Sequence, residues 1–111
     1  PVVAWSAGAM VLTDRIALFH DFGPDGASET EIFDRGLGRV RHVVAFPHAR
    51  RRLRLDDPER LAILAMRFDP AECVLLDDAG LIDVDADGTV PATARRVGTD
   101  GMVRSGMALG A

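Results

Sequence analysis

Apolar residues come in short runs separated by turn-forming clusters, a rhythm that predicts several brief strands and one well-marked helix. Val2-Val3-Ala4-Trp5 is a continuous apolar run, so Pro1 to Trp5 reads as a buried strand, and Ala7 to Leu12 suits the start of a helix. Arg15 to Phe19 predicts a second strand that ends at His20-Asp21. Gly23-Pro24-Asp25-Gly26 is a turn cluster and places Phe22 to Thr30 in loop. Glu29 to Arg35 fits one or two helical turns closed by Gly36. Val40 to Phe46 predicts a strand interrupted by Arg41-His42 and ended by Pro47-His48. The strongest local signal is Asp57-Pro58-Glu59: a capping acid, proline at the first helical position and an acid that suits the helix dipole. Leu61, Leu64, Ala65 and Phe68 then form one apolar stripe, which Asp69-Pro70 stops. Cys73 to Leu76 is strand-like, and Leu81–Val84 with Thr89–Val90 reads as a hairpin around Asp87-Gly88. The tail from Ala92 is weakly patterned, with Val97, Met102 and Val103 suited to an edge strand.

A chain of 111 residues with 48% hydrophobic and 27% charged positions is one small globular domain or part of a larger one. Its net charge of −4 argues against a general nucleic-acid binder. All thirteen basic residues are arginine, which points to a coding bias and carries no functional weight alone. The single cysteine, Cys73, excludes an internal disulfide and suits a reducing, cytoplasmic setting. No apolar run reaches the length of a membrane span, so no membrane partner is expected. Because Pro1 lies directly on the strand that leads to Ser6, residues 1–111 are expected to be a single C-terminal segment of a domain with its N-terminal half upstream.

The abrupt stop of an apolar run at Ser6, flanked by small residues, is the layout of a nucleophile elbow. The turn in such an elbow is tight, and positions two before and two after the hydroxyl must be small; here they are Ala4 and Gly8. The usual pattern is G-x-S-x-G, from which Ala4 departs. Ala7 is positioned to donate its backbone N–H to an oxyanion. The plainer account is a buried strand followed by a Gly/Ala turn.

A serine nucleophile needs a base to take its proton. His48 follows an apolar strand at the point where parallel sheets place catalytic groups. His20 is the competitor, and His42, inside a strand beside Arg41, is the weakest of the three. The imidazole then needs an acid to orient it, and Asp77, Asp78 and Asp21 all follow apolar strands.

Trp5-Ser6-Ala7-Gly8-Ala9, then Gly36-Leu37-Gly38 with Val43-Val44-Ala45-Phe46-Pro47-His48, then Leu75-Leu76-Asp77-Asp78 resemble, in that order, the dipeptidase E and cyanophycinase-like serine peptidases. The resemblance covers about the first 80 residues. It implies an α/β architecture of the class I glutamine amidotransferase type: part of a mostly parallel sheet with flanking helices, to which the sequence adds a C-terminal hairpin. It implies peptide-bond hydrolysis through an acyl-enzyme, with Ser6 as nucleophile, His48 as base, Ala7 as oxyanion donor and Asp78 as the acid. The family has Glu at that last position. A non-catalytic amidotransferase-like domain that binds a ligand or protein partner is the alternative. No cofactor or metal is expected, and the expected partners are a peptide substrate with a second copy of the chain or a complementing N-terminal half.

Arg50-Arg51-Arg52-Leu53-Arg54 is a dense positive run just after His48. Solvation beside Asp56, Asp57 and Glu59 accounts for it, while the functional reading gives Arg50 and Arg52 a substrate carboxylate to bind. Asp83, Asp85, Asp87 and Gly88 imitate half of a calcium loop, but Ala94 stands where the bidentate glutamate belongs. Trp5 is expected in the core, or lining a pocket beside Ser6.

Overall fold

The computed structural model describes residues 3–20, 29–49, 53–77 and 80–105. In chain order these form α1 (Ala7–Val11), β1 (Arg15–His20), β2 (Glu29–Arg35), β3 (Val43–Pro47), α2 (Pro58–Phe68), β4 (Glu72–Leu76), β5 (Arg95–Val97) and β6 (Val103–Ser105). Helix α2 is set by its own sequence. The Asp57 carboxylate accepts from the Arg60 backbone N–H, Pro58 opens the helix, and Leu61, Leu64, Ala65 and Phe68 are its buried face.

That helix is the crossover joining β3 to β4, which pair in parallel from Val43↔Glu72 to Pro47↔Leu76. β4 then pairs antiparallel with β5, and β5 with β6, in the order β3-β4-β5-β6. β1 and β2 form a separate antiparallel ribbon. The expectation of a mostly parallel sheet with flanking helices is therefore wrong: this is a small mixed sheet with one parallel pair. The reason is in the connections. A parallel return needs a crossover of about a dozen residues or more, usually helical. The β3-to-β4 link carries such a helix; the β4-to-β5 link, residues 77–94, is long enough for a crossover, but none of its described residues is helical. β5 reaches β6 through residues 98–102 alone, which forces an antiparallel hairpin, held by the Gly98 N–H on the Met102 carbonyl at 2.9 Å. Arg104 closes the same turn on Asp100, and holds that carboxyl down to about 2, well below the ordinary carboxylate range.

Three local expectations also fail. Glu29–Arg35 is strand β2, not helix; its β-branched Thr30 and Ile32 alternate as a strand requires, and β1 supplies the ladder. Residues 3–5 carry no regular structure, with Val3 and Trp5 78% and 75% exposed, so neither a buried strand nor a core tryptophan is present there. The C-terminal hairpin lies at β5–β6, while Leu81–Val90 is irregular chain around a tight turn in which Asp85 N–H meets the Thr89 carbonyl. That irregular chain covers one sheet face: Val90 and Ala94 pack on Val43 and Val74. α2 covers the other, with Leu61, Leu64, Ala65 and Phe68 against Val44, Phe46, Cys73, Leu75 and Val97. The Phe46 and Phe68 rings meet edge to face, centroids 5.3 Å apart.

Cys73 sits inside this layer, and burial pushes its thiol up to about 12. A protonated, enclosed thiol is a poor nucleophile. Iodoacetamide is expected to leave Cys73 unmodified in the folded chain and to alkylate it in urea. Rapid modification of the native protein would show that α2 and the sheet part company at this point.

Candidate active site

Ser6 is the N-cap of α1, and its backbone has φ 53° and ψ −130°. A side chain at positive φ is strained, typically by about 1–3 kcal/mol, and persists only where the surroundings impose it. Tight packing of small residues permits the turn: the Trp5 carbonyl accepts from the Gly8 N–H at 3.0 Å, and a Cβ on Gly8 would lie 4.0 Å from that of Ala4. Ala4 in place of the usual glycine therefore fits, since the elbow has room for a methyl group there. The hydroxyl does not cap the helix. It lies 3.3 Å from His48 Nε2 instead.

His48 reaches that position because β3 ends there. Its φ of 56° breaks the strand just after Pro47 and turns the chain into Ala49, which is fully buried. Among the described residues three non-glycine positions have positive φ, and two of them are the hydrogen-bonded pair Ser6 and His48. The third, His42, is exposed at the opposite end of β3. His20 ends β1, opposite Glu29 on β2. Both Ser6 and His48 are half-buried.

Ala7 opens α1, and among the described residues no backbone carbonyl takes its N–H. The helix is only five residues long, so a donated hydrogen bond, not a helix dipole, is what it can offer. Asp78, its rival Asp21, and the arginines Arg50 and Arg52 lie outside the described residues. Asp77, the other rival, accepts from Arg95 Nη1 through Oδ2 at 2.8 Å, and its Oδ1 is buried without a hydrogen-bond partner. Sequence reading missed Arg95 altogether. It lies in a tail without clear alternation, and only the β4–β5 register brings it to Asp77. Among the described residues no three His, Cys, Asp or Glu side chains gather as a metal site. No helix among them is long and apolar enough to cross a membrane.

Strain at Ser6 can be measured. Ser6→Gly removes the hydroxyl and relieves the positive φ, against a glycine entropy penalty of about 0.4–1 kcal/mol. The variant is expected to be more stable by about 1 kcal/mol in urea unfolding. Equal or lower stability would mean that the elbow backbone is relaxed. Comparison with known protein families, with curated proteins and with solved structures finds no match for this chain.

Proposed function

We propose that the chain is a serine hydrolase in which Ser6 attacks an acyl carbon and His48 takes its proton. The observation that carries this reading is the Ser6 Oγ–His48 Nε2 approach of 3.3 Å, made by a serine held at positive φ. A hydroxyl is a weak nucleophile at its own pKa and needs an adjacent imidazole, and such contacts are often long before substrate binds. In the reaction the Oγ–carbonyl bond forms as the Oγ proton passes to Nε2. His48 then returns that proton to the leaving group, and water repeats the sequence to release the acyl product. The Ala7 N–H is the donor available to the developing oxyanion. Peptide bonds are the proposed substrate class, supported by the likeness of the Trp5–Ala9 and Val43–His48 segments to serine peptidases; that likeness also proposes Asp78 as the acid and Arg50 and Arg52 as substrate contacts.

A fluorophosphonate probe tests the reading directly, because it reacts only with an activated hydroxyl. Mass spectrometry of the treated chain is expected to place the adduct on Ser6. An intact Ser6 after prolonged treatment would instead support the non-catalytic, ligand-binding alternative.

A further inference from the structure

The residues flanking Ser6, from Ala4 to Ala9, are small with one exception. Ala4, Ala7, Gly8 and Ala9 offer a bound molecule little beyond backbone and methyl groups. Trp5, the chain's single tryptophan, is the one large side chain among them. Its backbone is fixed beside the hydroxyl. The Trp5 carbonyl accepts from the N–H groups of Gly8 at 3.0 Å and Ala9 at 3.4 Å, which ties it to the first turn of α1. Consecutive Cα atoms stand about 3.8 Å apart, so the indole springs from a point one residue away from the reacting serine. The side chain is nevertheless 75% exposed. Single apolar side chains on a surface are ordinary, and Ile63 and Met66 on α2 and Leu81 after β4 are exposed in the same way. Trp5 differs in its place, since none of those adjoins a serine at positive φ in contact with a histidine. An indole also presents a large, rigid apolar face at little conformational cost, which is why tryptophan so often anchors a bound partner.

We infer that Trp5 is a specificity-determining residue of this site, its indole covering an aromatic or long aliphatic group on the acyl side of the bond that Ser6 attacks. This rests on the hydrolase reading and adds a substrate class to it: peptide bonds or esters that follow a bulky apolar group. The ring takes no part in making or breaking bonds. It holds the acyl group in the ground state and the transition state alike, so its effect falls on KM and grows with the apolar area of that group.

The test uses the full chain and p-nitrophenyl esters that differ only in the acyl group. Trp5→Ala is expected to lower the ratio of kcat/KM for the octanoate to that for the acetate by about tenfold, chiefly through KM. Trp5→Phe, which keeps an aromatic face, is expected to retain most of that preference. Because Trp5 is the chain's single tryptophan, its emission gives a second readout on the unsubstituted protein. A fluorophosphonate bearing an octyl chain, once on Ser6, is expected to move that emission to shorter wavelength as the chain displaces water from the ring, and one bearing an ethyl group is not. A role confined to shaping the elbow would slow every ester alike and leave the emission where it was. An unchanged octanoate-to-acetate ratio in Trp5→Ala, or an unmoved emission after octyl labelling, overturns the assignment. Failure of both probes to label Ser6 in the unsubstituted chain is a different result: it overturns the hydrolase reading, and the subsite with it.

Discussion

His48→Ala is expected to lower hydrolysis of an activated ester such as p-nitrophenyl acetate by roughly 10³-fold, as far as Ser6→Ala does. The double variant should be no slower than either single one. The two side chains share one proton across a 3.3 Å contact, so removing either leaves the other with nothing to do. If they acted independently, the two losses would multiply, because distant, uncoupled sites add in free energy. The comparison is sharper than any single loss, since a merely destabilised protein would also be slow. Neither side chain belongs to the core, both being half-buried at the edge of α1 and β3. Folding should therefore survive both changes, and circular dichroism can verify it. Multiplying losses, or an ester activity untouched by His48→Ala, would remove His48 from the chemistry.

How far the fold could be read in advance depended on whether the deciding interactions were local. Helix α2 was legible to the residue because its cap, its proline, its apolar stripe and its stop all lie within fourteen consecutive positions, Asp57 to Pro70. β4 was nearly as plain, a short apolar run bounded by polar chain. Glu29–Arg35 was not, because seven residues of mixed polarity suit a helical turn or a strand, and the choice was made by β1, nine residues upstream of Glu29 at its nearest end. Sheet polarity was misjudged for the same reason. Nothing within β5 states that it runs against β4; that follows from the irregular path of residues 80–94 over the Val43–Val74 face. The candidate site divides similarly. Ser6 and His48 each carried a local mark, a small-residue elbow and a strand end, so their contact could be anticipated. The Asp77–Arg95 pair spans eighteen residues of sequence and depends on register, so it could not.

Gly36→Ala is expected to be among the most damaging small substitutions at the described residues, lowering stability by roughly 3 kcal/mol or more. A Cβ at Gly36 would stand 1.8 Å from the Thr13 carbonyl oxygen and 2.8 Å from its carbon, both backbone atoms that no rotamer change can move aside. The two segments are also stitched together. Gly36, Leu37, Gly38 and Val40 N–H groups donate to the carbonyls of Asp14, Val11, Thr13 and Leu12 at 2.9, 2.7, 3.1 and 2.9 Å. A methyl group that forces the two segments of this seam apart weakens several of these bonds together, each worth about 1 kcal/mol. The Gly36-Leu37-Gly38 motif that contributed to the peptidase likeness thus has a structural reason here, independent of any catalytic role. The consequence reaches the site, because residues 11–14 are the exit from α1, whose first turn holds Ser6. Displacement of about 1 Å at a nucleophile can cost roughly a hundredfold in rate. Gly36→Ala should therefore melt at least about 10 °C lower and label more slowly with a fluorophosphonate. Gly8→Ala is the matched comparison: its new methyl would meet only the Ala4 Cβ at 4.0 Å, in a helical position where alanine is favoured. Its melting temperature should be unchanged or higher, so equal losses from the two substitutions would show that the close approach at Thr13 is not what demands glycine at position 36.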